Sequence, residues 1–251
     1  MQNTPLYKEC VSTWHVILPE FDILFWDENK ISNTFTPSEL LFYNKMLSAK
    51  KYAFAVDYIR CLILERFGGV YLDADIEMIK DLSSLNEGGN YLGMESSRKI
   101  SCGVLAFSKN NWFVAKLKEK VEAANGLVEI TKLSTEVLSE RFGVLDLDLK
   151  ESLVLDDITI YPKHYFYPYN PYDEGAKIDQ LMFKDIKPET YCIHHWAKSW
   201  NYSMGELMVK GIKKFLVKKK NGFLKNELSN LYVINDNVNV HWGGGVNLLQ
   251  H

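Results

Sequence analysis

Apolar positions recur along this chain with two different periods, and the period switches repeatedly. "YKECVSTWHVIL" spaces Val11, Trp14 and Leu18 along one helical face, and Pro19 then stops the helix. "FDILFW", Phe21 to Trp26, predicts a short strand that ends at Asp27 and Glu28. "AFAVDYIRCLILERF", Ala53 to Phe67, is apolar around nearly its whole circumference, which predicts a mostly buried helix. Gly68 suits a left-handed cap, and Gly69 permits the turn into a strand from Val70 to Leu72. "NYLGME" and "ISCGVLAFS" read as further strands, with a helix from Trp112 to Ala124 after them. "ITIYPKHYFYPYNPYD" predicts a strand leaving into a long surface loop, and "YCIHHWAKSW" a last strand and turn. Helices alternating with short buried strands predict a mixed α/β class.

Composition narrows the function classes. With 251 residues, 47% hydrophobic and 24% charged, the chain can bury a substantial core. A net charge of −3 argues against a nucleic-acid binder. Cys10, Cys61, Cys102 and Cys192 are scattered without a Cys-x-x-Cys pair, which suits free thiols in a reducing compartment. No run approaches the roughly 20 apolar residues of a membrane span, and the first residues are polar. A cytoplasmic chain is the expectation.

Three groups of residues could carry chemistry. Asp73 and Asp75 follow Val70-Tyr71-Leu72, and residues two apart in a strand share a face. Two adjacent carboxylates repel, and a hard divalent cation would cancel that repulsion. The bland reading is a solvated turn. Asp57 and Arg60 are the only charges from Ala53 to Leu64 and lie at i, i+3 on one face. They are either a local ion pair or a binding pair for sugar hydroxyls or phosphate. His194 and His195, with Trp196, Ser199 and Trp200, could complete a metal shell and clamp a ligand, or could simply end a strand beside core aromatics.

"AFAVDYIRCLILERFGGVYLDADIE" resembles the sugar-nucleotide-binding region with an Asp-x-Asp motif shared by glycosyltransferase family 32. That family includes capsular, lipopolysaccharide and mannosyl transferases, and the clostridial glucosylating toxins share a related signature. Its pattern is roughly A-x-x-S-D-x-x-R, an apolar helix, then G-G-x-Y-x-D-x-D. Val56 replaces the usual Ser, while Asp57, Arg60, Gly68, Gly69, Tyr71, Asp73 and Asp75 all fit. "TIYPKHYFYPY" and "HHWAKSW" look like later family segments, so the likeness runs from about Tyr7 to Trp200. Two departures stand out. The opening strand of such sequences, resembling I-P-K-x-I-H-x-x-W, is not found, and "LSTEVLSERFG" stands where many relatives carry Gly-Pro.

The resemblance implies a glycosyltransferase A fold, a mixed central sheet flanked by helices, over residues 1–205, without the first strand. It implies transfer of a hexosyl group, with retention, from a nucleotide-diphosphate sugar to a glycan or lipid-linked acceptor in bacterial surface polysaccharide synthesis. It further implies Mn²⁺ or Mg²⁺ on Asp75 with Asp73, and His195 ahead of His194 as a further ligand. Asp57 and Arg60 would contact the transferred sugar, with Tyr71 and Asp73 beside the donor and Ser199 and Trp200 near its diphosphate.

Two rival readings come from other classes. A haloacid-dehalogenase-like phosphatase also uses Asp-x-Asp after a strand but expects a Thr soon after, and Ile76-Glu77-Met78 supplies none. An inert sugar-nucleotide or glycan-binding remnant is the other. Residues 206–251 read as a basic amphipathic helix and tail, in which Lys213, Lys214, Lys218, Lys219 and Lys220 could meet the anionic inner face of a membrane.

Overall fold

The structure, a computed structural model, describes residues 5–143, 148–173, 180–197 and the strand at 231–236. Ser199, Trp200 and the lysines from Lys213 to Lys220 lie outside the described residues. The chain folds as α1 (Pro5–Ile17), β1 (Phe21–Trp26), α2 (Glu28–Thr34), α3 (Leu41–Ser48), α4 (Tyr52–Phe67), β2 (Gly69–Leu72) and β3 (Ile76–Met78). There follow α5 (Ser83–Asn86), β4 (Asn90–Ser96), β5 (Lys99–Phe107), α6 (Trp112–Ala124), α7 (Ile130–Phe142), β6 (Leu153–Leu155), β7 (Ile158–Tyr161), β8 (Cys192–His194) and β9 (Leu231–Asp236).

Seven strands form one mixed sheet in the order β1-β9-β2-β5-β4-β7-β6. Among the described residues, only β4 and β7 pair in parallel. β3 and β8 form a separate antiparallel pair, with Ile76 opposite His194. The mixed α/β class, with helices flanking a mixed sheet, is therefore the one expected. β9, from the segment read as a tail, lies between β1 and β2 and pairs antiparallel with both.

The period-two pattern of the central strands divides the core. Tyr71, Leu92, Leu105 and Phe107 pack on one face with residues of α3, α4, α6 and α7. Val70, Leu72, Tyr91, Val104 and Ala106 pack on the other, with Trp14 and Leu18 of the N-terminal segment. The Pro- and Tyr-rich segment after β7 does not stay on the surface as expected. Phe166 and Tyr167 are fully buried on that second face, where they join Trp14 of α1 in covering the sheet.

Two features place the Asp-x-Asp segment. Gly68 has φ +70, and a Cβ there would meet the Lys109 backbone nitrogen at 2.8 Å, so glycine is required both for conformation and for space. α1 grips β3 through two side-chain bonds: Trp14 Nε1 donates to the Ile76 carbonyl at 2.7 Å, and the Met78 N–H donates to Thr13 Oγ1 at 2.9 Å.

Candidate active site at the Asp-x-Asp turn

The two aspartates do not share a strand face. Asp73 to Asp75 form a turn between β2 and β3, in which the Ile76 N–H donates to the Asp73 carbonyl at 3.0 Å. The turn, rather than strand alternation, brings the two carboxylates together. His194 joins them from the end of β8, with Nε2 3.1 Å from Asp75 Oδ1 and 4.0 Å from Asp73 Oδ2. Ligand atoms of Asp73, Asp75 and His194 all lie within 4.8 Å of one another.

The pairing of Asp75 with His194 is also visible in their protonation. Burial opposes charging Asp75, but the charge and hydrogen bond of His194 and the Ala197 N–H together lower its pKa. Burial likewise works against a charged His194, yet the two aspartates raise its pKa overall. Its Nδ1 is buried and without a hydrogen-bond partner among the described residues. The set of two hard carboxylates and one imidazole suits a divalent cation, which would relieve the crowding of negative charge.

Sequence reasoning placed His195 ahead of His194. The structure puts His195 elsewhere, with Nε2 2.8 Å from Glu77 Oε2. The backbone explains the split. The His195 N–H donates to the Asp75 carbonyl at 3.1 Å, and Trp196 then adopts φ +53. A bulky residue in the left-handed region is strained, and the strain is offset locally. Trp196 Nε1 donates to the Tyr169 carbonyl at 2.7 Å, and the turn aims the Ala197 N–H at Asp75 Oδ2, 2.8 Å away. Asp75 is thus held at both oxygens.

The opposite wall comes from α4. Asp57 and Arg60 are buried, as the apolar circumference of the helix predicted. Arg60 Nη2 lies 3.0 Å from Asp57 Oδ1, but without hydrogen-bond alignment, and both Asp57 oxygens are without hydrogen-bond partners among the described residues. Burial pushes the Asp57 carboxyl up to about 7 against the pull of Arg60. Arg60 Nη1 donates to the Cys102 carbonyl at 2.8 Å and lies 3.4 Å from Asp73 Oδ1. Its guanidinium sits 4.5 Å from the Tyr71 ring centroid, and the Tyr71 hydroxyl donates to Asp73 Oδ1 at 2.5 Å. Asp57, Arg60, Tyr71 and Asp73 therefore form one connected chain leading to the turn.

Sequence reasoning missed the irregularity in β5 that makes this possible. Between the pairs Leu92–Leu105 and Met94–Ile100, β4 has only Gly93 while β5 has residues 101–104. Such a bulge frees backbone groups from the ladder. Arg60 takes the Cys102 carbonyl and the Val104 N–H takes the Tyr167 hydroxyl at 2.8 Å, while on the other edge of β5 the Asp73 N–H extends the β2–β5 pairing to the Gly103 carbonyl at 2.8 Å. A Cβ on Gly103 would lie 3.0 Å from Asp73 Oδ2. A lone glycine inside a strand pattern was the available signal.

Against this geometry, comparison with known proteins is informative. Residues 5–97 match the family described as "Glycosyltransferase sugar-binding region containing DXD motif". Asp57, Arg60, Tyr71, Asp73 and Asp75 all fall inside the matched stretch, and His194 comes to them from outside it. Lactosylceramide 4-alpha-galactosyltransferase of Rattus norvegicus is 31% identical over 154 residues, covering 57% of this chain and 40% of the relative. The enzyme of the same name from Pongo pygmaeus is 30% identical, covering 57% of this chain and 66% of the relative. The chain thus spans less than two thirds of the length of either. Among solved structures, "PaToxG Glycosyltransferase" aligns at 20% identity with a TM-score of 0.37, covering 46% of this chain and 44% of that one.

Proposed function

We propose that the protein is a metal-dependent glycosyltransferase of the glycosyltransferase A type. The observation that carries this is the convergence of Asp73, Asp75 and His194 beside the buried Asp57–Arg60 pair, within and against the sugar-binding region. In this reading a nucleotide-diphosphate sugar donates a hexosyl group to a hydroxyl of a glycan or lipid-linked acceptor. The bond from the anomeric carbon to the diphosphate breaks with its electron pair on the diphosphate. A bond from the acceptor oxygen forms on the retained face, and the hydroxyl proton is released.

A divalent cation held by Asp73, Asp75 and His194 would supply the positive charge that offsets the departing diphosphate. An imidazole among the donors suits Mn²⁺ better than Mg²⁺. Arg60, fixed by the Cys102 carbonyl and the Tyr71 ring, orients Asp73 and presents the charged wall of the donor pocket. Asp57, sealed in the core, holds Arg60 from behind and leaves any contact with the sugar to Arg60 and Asp73. The related enzymes are named for a glycolipid substrate, which supports a glycan or lipid-linked acceptor. A role in bacterial surface polysaccharide synthesis, inferred from the sequence, is part of the same proposal.

The test is hydrolysis of a panel of nucleotide sugars by the full chain without acceptor, with Mn²⁺, with Mg²⁺ and with chelator. Release of nucleotide diphosphate that needs metal and drops at least about 100-fold in Asp75→Asn supports the reading. Binding without any turnover would favour the inert sugar-nucleotide-binding remnant instead.

A further inference from the structure

Glu95 is an acidic residue beside the site that the reaction above leaves unused. It stands near the end of β4 and inside the sugar-binding region. Its side chain is half-buried, yet among the described residues its carboxylate has no hydrogen bond or ion pair. Its backbone carbonyl accepts from Asn170 Nδ2 at 2.9 Å. The charges that act on it are those of Lys99, His194, Glu129 and Asp173. Loss of water around the carboxyl raises its pKa to about 7, with Lys99 and His194 pulling the other way.

The surroundings say what such a group can bind. Asn170 is buried, and it joins Glu95 to the neighbouring segment by also accepting from the Tyr172 N–H at 2.8 Å. Tyr172 is half-exposed, and its ring centroid lies 5.9 Å from that of Trp196. Trp196 in turn lies 4.3 Å from the His194 ring. Gly93, two residues earlier in β4, faces Phe166 and Tyr167, and residues two apart in a strand share a face, so Glu95 lies on the sheet face where Tyr167 meets His194 and Trp196 and the aromatic edge continues to Tyr172. An unpaired carboxylate there would repel the donor's diphosphate. Neutral hydroxyls are suited to it, because an ionised carboxylate offers only acceptor positions. Aromatic rings give the apolar face of a sugar a surface to lie against.

We propose that Glu95 is an acceptor-binding residue: its carboxylate accepts a hydrogen bond from a hydroxyl of a neutral sugar ring lying beside Trp196 and Tyr172, and so helps to select the acceptor. The proposal rests on the glycosyltransferase reading, and the experiment separates the two. The full chain with Mn²⁺ is assayed in two ways. Donor hydrolysis is followed without acceptor, and transfer is followed to the p-nitrophenyl glycosides of glucose, galactose and N-acetylgalactosamine.

Glu95→Gln keeps the shape but weakens the acceptor of the hydrogen bond. The expected result is donor hydrolysis and donor KM within about twofold of wild type, with the acceptor KM raised about tenfold or more and the order of preferred acceptors changed. Glu95→Asp keeps the charge on a shorter arm and should fall between the two. It also carries the same measurement if the glutamine variant does not fold. Unchanged acceptor KM and ranking in the folded variants, with hydrolysis intact, would overturn the role of Glu95 and leave the enzyme reading standing. An equal rise in donor KM would move Glu95 to the donor side and overturn the proposal. No hydrolysis and no transfer by the wild type would overturn the underlying reading and this proposal with it.

Discussion

Asp57, Arg60 and Tyr71 come from one short stretch of chain and are sealed in the core, whereas Asp75 meets His194 across 119 positions of sequence. The first wall is rigid because α4 is buried on nearly every side and the β5 bulge hands Arg60 a carbonyl. The second wall depends on a two-stranded pair and on one strained residue, Trp196. In the proposed transfer reaction this asymmetry would be useful, since the buried wall fixes the charge pattern while the other wall is held by fewer contacts. The difference also predicts which substitutions unfold the protein and which disturb only the site.

The largest effect should come from the sealed wall. Arg60→Met strands Asp57 in the core, and removing one partner of a buried pair costs about 3–5 kcal/mol. Urea unfolding of Arg60→Met should show that loss, and Arg60→Met with Asp57→Leu should recover most of it. If the single variant unfolds like wild type, the pair is not structural. Asp57 adds a pH signature. Its folded pKa of about 7 is raised above the ordinary aspartate value, so its contribution to stability is present below about pH 4 and is lost as pH rises to about 7. Across that window the effect is on the order of a few kcal/mol. Asp57→Asn should flatten that slope.

The bulge lies between the walls and should respond less. Gly103→Ala places a methyl group 3.0 Å from Asp73 Oδ2 and 3.2 Å from the Tyr167 hydroxyl. Overpacking of this kind costs roughly 1–3 kcal/mol. Because the nearest atom is a carboxylate oxygen of the site, Mn²⁺ affinity should fall by more than the stability loss alone would suggest. Titration of Mn²⁺ on the folded variant checks this. An unchanged affinity would show that Asp73 can move aside without consequence.

The sealed wall was legible in the sequence and the other wall was only half so, for a physical reason. α4 announced itself because two charges interrupt an otherwise apolar run, and Gly68 marked its end. Asp73 and Asp75 were found by spacing, but the spacing was given the wrong cause, since a turn and a strand end look alike over three residues. Nothing local distinguishes His194 from His195. That choice is made by the β3–β8 register and by the positive φ of Trp196, both of which depend on contacts far apart in sequence. Phe166 and Tyr167 read as loop because Pro162, Pro168 and Pro171 around them are turn formers, whereas in the fold both rings pack on the sheet face. Glu95 gave no local signal at all.

The smallest effect is also the sharpest test of the second wall, because it separates two adjacent histidines. His195 and Glu77 form a half-exposed pair, and such pairs contribute about 0–1 kcal/mol. His195→Asn should therefore leave both the unfolding midpoint and Mn²⁺ affinity close to wild type. His194→Asn removes a donor of the trio and should weaken Mn²⁺ binding at least tenfold with the fold intact. The comparison is clean because both variants change the same residue type one position apart, so general effects on β8 cancel. If His195→Asn were the variant that lost the metal, the chain would have to turn differently at Trp196, with the Ala197 N–H no longer on Asp75. The geometry that holds Asp75 at both oxygens would then be wrong.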